Sequence, residues 1–109
     1  MENLGLVDEI QEKVDQIKRE IEDSSFPVSS LVFKEGKFPL GISHSISDLL
    51  NDSMEAVRLG DWDLAVKFTQ HANQVAKSFG SMACYELFLT LSSCRDTLKE
   101  TLSSVQKFI

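Results

Sequence analysis

The sequence is poor in residues that break helices and in residues that build disulfide frameworks. Its two prolines, Pro27 and Pro39, both fall in one stretch. About 20 residues before that stretch and about 70 after it are therefore free of the strongest helix breaker. The two cysteines, Cys84 and Cys94, are too few for a disulfide framework. We expect long helices and buried, inert thiols.

Clusters of basic residues and long apolar runs are missing as well. The chain has 11 Lys and Arg against 17 Asp and Glu, which gives a formal net charge of -6. Nucleic-acid binding needs clustered cations for phosphate contacts, so the scattered basic residues argue against it. No stretch approaches the ~18 apolar residues that span a bilayer, and no secretory signal precedes the first helix. We expect a cytoplasmic protein, with the nucleus as an open alternative, and no membrane insertion.

Apolar residues recur every three or four positions through most of the chain. This helical period covers four segments, about 4–23, 45–59, 61–79 and 82–108. No segment alternates with a period of two for long enough to predict a strand. With 109 residues and 42% hydrophobic composition, one core is expected. The sequence therefore predicts an all-α fold: a single domain, 1–109, forming an antiparallel four-helix bundle.

Short polar and glycine signals mark the predicted helix ends. Ser45, with an acid three residues later, is a weak capping box for the second helix. Gly60 supplies a left-handed stop, and Asp61 is suited to cap the third helix. Gly80 and Ser81 repeat this pattern before the fourth helix. We therefore expect tight turns between the last three helices.

A long apolar connection joins the first two predicted helices. Residues 24–41 contain turn residues and both prolines, but also seven large apolar side chains. Such a connection either lies across the bundle or presents its side chains to a partner. The fourth helix is about 40 Å long, so its end overhangs the others, while Phe88 and Leu89 near its start indicate a second neighbour. The candidate partner contacts are Leu31, Val32, Phe33, Phe38, Val105, Phe108 and Ile109, with burial in the core as the alternative.

Motifs for catalysis, metals and cofactors are lacking. The sequence has no Walker loop, dinucleotide fingerprint, Cys-x-x-Cys or His-Glu-x-x-His pattern. His44 and His71 lie in different segments, and neither has a second His or Cys at metal-ligand spacing. We predict no metal, no cofactor and no enzymatic activity. The partner is predicted to be another protein, or a second copy of the chain.

One helical hairpin resembles known interaction modules. Gly60, Trp62, Ala65 and Ala72 are similar to the second-helix signature of a tetratricopeptide repeat. The stretch from Gly60 to Ala72 is also similar to microtubule-interacting and trafficking domains. The likeness covers residues 46–80, without a second copy at a 34-residue period. It implies an adaptor or complex subunit that binds a partner helix or segment.

Residues 46 to about 95 resemble, as a second likeness, a histidine phosphotransfer domain. The resemblance rests on the Gly-Asp-Trp sequence at 60–62, which precedes the third helix, on the amphipathic third helix itself and on the Ser-Phe-Gly turn at 78–80. This resemblance implies that His71 exchanges a phosphoryl group with a receiver. The family's histidine position is, however, occupied by Gln70. Its following Lys and Gly are replaced, counting from His71, by Gln74 and Val75, so the alternative is a phosphorelay domain that is active or degenerate.

Overall fold

The described part of the chain forms a bundle of four helices. The computed structural model describes residues 2–26 and 38–107, with side chains described over 5–23, 25 and 38–100. The helices are α1 (Glu2–Ser24), α2 (Leu40–Arg58), α3 (Trp62–Ser78) and α4 (Tyr85–Lys107). Two strands, β1 (Ser25–Phe26) and β2 (Phe38–Pro39), form a short parallel pair between α1 and α2. The predicted all-α fold is confirmed.

Side-chain contacts between neighbouring helices show their antiparallel order. Lys18 Nζ on α1 donates to Asn51 Oδ1 on α2 at 2.8 Å, and Ser53 Oγ on α2 donates to the carbonyl oxygen of Ala65 on α3 at 3.2 Å. Lys99 Nζ near the end of α4 lies 3.2 Å from a carboxylate oxygen at the start of α3. The bundle closes where α1 lies beside α4, but these two helices meet less closely than α1 and α2 do.

The core is built from the helical rows that the sequence indicates. On α1 the buried row is narrow, with one apolar residue per turn, whereas α3 buries mostly small residues. Small side chains allow the flanking helices to approach closely. In α1, α2 and α3 the buried apolar residues are Ile10, Val14, Ile17 and Ile21 on α1, Ile46, Leu50, Met54, Ala56 and Val57 on α2, and Ala65, Val66, Ala72 and Ala76 on α3.

The last three helices are joined by turns with a left-handed glycine. Gly60 has φ 77° and Gly80 has φ 83°. At the first turn, the Asp61 amide donates to the Ala56 carbonyl at 2.9 Å, and an Asp61 carboxylate oxygen accepts from the amide of Leu64 at 3.1 Å. These bonds satisfy carbonyls at the end of α2 and an amide at the start of α3. Gly60 and Asp61 thus have the roles expected of them.

Two helix starts differ from the expected positions. Helix α2 begins at Leu40, and its N-cap residue Pro39 makes no side-chain cap bond. Ser45 lies inside α2, where its Oγ donates to the Gly41 carbonyl at 3.0 Å, so it does not cap the helix. Pro39 has φ −58°, which is compatible with entry into a helix at Leu40, but its side chain offers no acceptor to the amides of the first turn. Helix α4 begins at Tyr85, three residues later than expected.

Candidate interaction site

Of the residues that the sequence indicates as candidate partner contacts, only Phe38 has a described side chain. Phe38 is 1% exposed, and its ring centroid lies 6.0 Å from that of Phe79. It is therefore a core residue, which is the alternative that the sequence analysis left open for it. The side chain of Val105 lies outside the described ones. The remaining candidates, outside the described residues, are Leu31, Val32, Phe33, Phe108 and Ile109.

Two cavities lie beside α1, the larger between α1, Phe38 and the α3–α4 turn, and the smaller between α1 and the start of α4. The larger has a volume of about 430 Å³, and the smaller about 190 Å³. Both are lined by Glu20 and Ala83, so they form one groove, called here the α1–α4 groove. The larger cavity is also lined by Ile21, Phe38, Gly80, Ser81 and Met82. The smaller is completed by Lys13, Gln16, Ile17, Glu86 and Leu87.

The groove exists because small and buried residues line its floor. Ile17 and Leu87 belong to the buried rows of α1 and α4, so the floor is apolar. Ala83 stands just before α4 and lines both cavities. Its position is fixed by the turn, because its amide donates to Ser81 Oγ at 3.2 Å. The groove is therefore a product of the α3–α4 turn and of the loose α1–α4 seam.

A second apolar surface adjoins the groove on the outside of α4. Met82, Tyr85 and Leu89 are 51%, 41% and 46% exposed. Tyr85 and Leu89, four residues apart, lie on one side of α4, opposite the buried Leu87 and Leu91, and Met82 precedes the helix. These three side chains are called here the outer row. Met82 also lines the larger cavity, so it is the residue that the outer row shares with the groove.

The outer row was only half expected from the sequence. Leu89 indicates a second neighbour beside the fourth helix, whereas Phe88, predicted with it, is partly buried and packs against the core. Met82 and Tyr85 did not stand out, because they lie where the helix begins. The signal that could have found them is the low charge of residues 82–94, whose one charged residue is Glu86. A helix that is apolar on all sides is usually covered on all sides.

The walls of the groove carry ionisable side chains of both charges. Glu20 on α1 and Glu86 on α4 line the smaller cavity from opposite walls, together with Lys13. Burial, with a smaller effect of Glu20, raises the pKa of the nearby Cys84 thiol to about 12. Burial also raises the pKa of Cys94, although Lys13 opposes this. The Cys84 thiol therefore stays protonated at neutral pH and is a poor nucleophile.

His71, the residue implied by the phosphotransfer resemblance, is exposed on α3, as are Gln70 and Gln74. His44 is exposed on α2. Within residues 2–26 and 38–107, no three His, Cys, Asp or Glu side chains converge in a way that could hold a metal ion. Accessibility meets one requirement of phosphoryl exchange at His71, and the activity stays a prediction.

The far part of α4 is less covered than its start. Leu98 continues the row of Leu87 and Leu91 but is 42% exposed. At the same level, Asp63 on α3 lies 3.2 Å from Lys99 Nζ and 4.0 Å from Arg95 Nε. These ion pairs are solvent-exposed, so we expect each to contribute no more than about 1 kcal/mol. Leu98 is therefore an exposed apolar residue at the level of the start of α3, and the side chains of the expected overhang beyond residue 100 lie outside the described ones.

Comparison with known proteins identifies no relative of this chain. No protein-family model, curated protein or solved structure matches the chain. The two resemblances drawn from the sequence, to helical-hairpin interaction modules and to phosphotransfer domains, stay predictions. Within the described part of the chain, none of the helices is both long enough and apolar enough to cross a bilayer.

Proposed function

We infer that this protein is a non-catalytic interaction module, an adaptor or a subunit of a complex, that binds a helix or short segment of another protein. The observation that carries this proposal is the exposed apolar outer row of Met82, Tyr85 and Leu89, of which Met82 also lines the α1–α4 groove. Grooves between helices receive the apolar side of a partner helix in known recognition modes. Met82 lines the groove, whereas Tyr85 and Leu89 lie on the outside of α4, away from the groove floor.

The surface combines features of energetically important interface centres. Tyr85 supplies a large, rigid side chain with a polar tip, a type enriched among residues that dominate binding energy. The floor residues Ile17 and Leu87 are held by the core and need no rearrangement before binding. Pre-formed binding surfaces lose less conformational entropy on association. The outer row is therefore suited to a partner that covers Tyr85 with apolar side chains of its own.

An affinity-capture experiment with matched variants tests this function. The wild-type protein and the Tyr85→Glu variant are immobilised on separate supports and exposed to the same cell extract. Leu59→Glu is the control, because Leu59 lies in the α2–α3 turn and is 75% exposed. We expect a protein that is retained by the wild type and by Leu59→Glu but lost with Tyr85→Glu. That protein is then purified, and calorimetry is expected to show a Kd at least about ten-fold higher for Tyr85→Glu. Equal retention by all three proteins contradicts the proposed surface.

The alternative function is phosphoryl transfer through His71, active or degenerate. Its supporting observation is the exposure of His71 on the outside of α3. Incubation with a phosphorylated receiver domain tests it directly. Acid-labile label on the chain that disappears in His71→Gln supports a phosphorelay role, while absence of transfer to the folded wild-type protein rules out the active form.

A further inference from the structure

We propose that two copies of this chain associate through the outside of the α2–α3 hairpin, in a weak and symmetric dimer. This surface is called here the hairpin face, and its residues are Asp48, Leu49 and Asp52 on α2 and Leu64, Lys67, Phe68 and His71 on α3. It lies on other helices than the outer row of α4, so the inference goes beyond the proposed function. The occupant is a second copy because the hairpin face is complementary to itself in charge.

The centre of the hairpin face is apolar and partly exposed. Leu64 is 39% exposed, and Phe68, four residues later on the same side of α3, is half-buried. Phe68 also follows Ala65 by three residues, and the carbonyl oxygen of Ala65 accepts from Ser53 on α2, so Phe68 lies beside the seam between the two helices. Leu49, one turn before Ser53, is half-buried on the α2 side of this seam. The seam therefore offers a partner a strip of large apolar side chains.

Acidic and basic side chains lie on different sides of this strip. Asp48 and Asp52, four residues apart on one side of α2, are exposed, and so are Lys67 and His71, four residues apart on one side of α3. In the described part of the chain, neither Asp52 nor Lys67 takes part in an ion pair. Both side chains can therefore pair with a second molecule, which meets acids on the α2 side and a lysine on the α3 side.

Charge selects one symmetric arrangement of two hairpin faces. The two-fold axis between two stacked faces can run across the helices or along them. An axis across the helices places α2 on α2 of the second copy, with acids against acids, whereas an axis along the helices places α2 on α3. The formal charge of -6 already opposes association, and like charges in contact disfavour the first arrangement further. Only the second arrangement joins charges of opposite sign.

This second arrangement brings Asp52 opposite Lys67 of the second copy. Rotation about an axis along the helices keeps each residue at its own level of the bundle. Ser53 Oγ donates to the Ala65 carbonyl at 3.2 Å, so these two residues share a level. Asp52 lies one residue beyond Ser53 and Lys67 two residues beyond Ala65, both away from the turn, so their levels differ by about 1.5 Å. The dimer therefore contains the Asp52–Lys67 pair twice.

The extent of the hairpin face predicts a weak dimer. Helix α3 has 17 residues, or about 25 Å of length, and two helices side by side are about 20 Å wide. Each copy then covers about 500 Å², and the total of about 1,000 Å² is typical of weak interfaces. We expect a dissociation constant on the order of 0.1 mM. The chain is therefore monomeric at the micromolar concentrations of unfolding measurements.

Charge reversal and mixing test the pairing. Sedimentation equilibrium of the full chain is measured from about 0.01 to 1 mM protein at about 0.15 M salt. Lys67→Glu and Asp52→Lys, each alone, place like charges opposite each other, and each is expected to raise the dissociation constant at least about ten-fold. An equimolar mixture of the two variants is expected to restore the wild-type value within about three-fold, because both pairs of the mixed dimer again join opposite charges. A pair formed within one chain would not be restored by mixing.

Two control variants change the net charge equally at exposed positions away from the hairpin face. Glu12→Lys lies on α1, and Lys77→Glu lies fourteen residues after Asp63, on the side of α3 that faces α4. Each is expected to change the dissociation constant less than about two-fold. Circular dichroism verifies that every variant keeps its helices. If Asp52→Lys strengthens association while Lys67→Glu weakens it, net charge alone decides and the inference is wrong.

The remaining outcomes separate this inference from the proposed function. A chain that stays monomeric up to about 1 mM contradicts the inference, since interfaces of this size still associate at that concentration. A mixture that associates no better than its two components contradicts it as well. Loss of the dimer with Tyr85→Glu would place self-association at the outer row instead. The capture experiment decides the proposed function independently, because Lys67→Glu leaves the outer row intact.

Discussion

The rings of Phe38 and Phe79 meet with their centroids 6.0 Å apart and their planes tilted by 57°. Phe38 lies in β2, just before α2, and Phe79 is the C-cap residue of α3. The contact therefore joins the connection that follows α1 to the end of the α2–α3 hairpin. Tilted aromatic pairs at this separation are favourable beyond the area that they bury. Phe38 also lines the larger cavity, so the same ring supports the groove.

Replacement of Phe38 by Ala is expected to destabilise the fold strongly. The side chain is 1% exposed, and large-to-small changes of buried aromatic residues cost about 3–5 kcal/mol. Urea denaturation followed by circular dichroism gives the free energy of unfolding. Leu59→Ala, at a residue that is 75% exposed, is the control and is expected to change it by no more than about 0.5 kcal/mol. A similar small change for Phe38→Ala would show that this ring is not part of the core.

A side chain at Gly60 is expected to cost stability through the backbone alone. Gly60 has φ +77°, and a Cβ there meets no atom within 4 Å. An L-residue in this region costs about 1–2 kcal/mol, so Gly60→Ala should lower the free energy of unfolding by that amount. Gly5→Ala is the control, because Gly5 lies within helical α1 with equally open space. The control is expected to be neutral or stabilising by up to about 1 kcal/mol, and equal effects of the two changes would refute the backbone explanation.

Loss of the Asp61 cap is expected to weaken the start of α3. The carboxylate accepts from the Leu64 amide at 3.1 Å, and replacing such a cap by Ala costs about 1 kcal/mol. Asp61→Ala should therefore lower the thermal midpoint, whereas Asp61→Asn, which keeps the acceptor, should restore most of it. Asp52→Ala on exposed α2 controls for the loss of one negative charge. An Asn variant as unstable as the Ala variant would argue against capping.

The buried Cys84 thiol is expected to make stability fall in alkaline solution. Burial raises its folded-state pKa from 9.0 to about 12, so the unfolded chain loses this proton first as pH rises. Fewer bound protons in the unfolded state mean that the free energy of unfolding decreases with pH above about 9. The limiting slope is about 1.4 kcal/mol per pH unit for one group. The difference between wild type and Cys84→Ala, measured by urea denaturation from pH 8 to 10.5, isolates this contribution from other groups. A difference that stays constant with pH contradicts it.

Several features could be predicted from the sequence because they are set within a few residues. The row of Ile10, Val14 and Ile17 follows directly from the helical period, and all three side chains are buried. Gly60 and Asp61 end one helix and begin the next through bonds to residues at most five positions away. Such local interactions depend little on the rest of the chain.

The candidate site could be predicted far less well. Phe38 and Leu89 are both large apolar residues at positions expected to contact a partner or second neighbour, yet only Leu89 is exposed. Tyr85 and Met82 became visible as an exposed row only when the start of α4 and its covered side were known. Burial depends on which helix lies alongside, and periodicity does not specify that neighbour.

By itself, the sequence determined the helical class, the buried row of α1 and the two glycine turns, since each results from local backbone preferences and from one periodic pattern. Tertiary structure alone decided that Phe38 packs on Phe79, that the α1–α4 seam remains open as a groove, and that Glu20 and Glu86 line it from opposite walls. These relationships join residues tens of positions apart. They arise because each side chain competes for space in the whole bundle, and the closeness of every helix pair is set by the side chains of both partners.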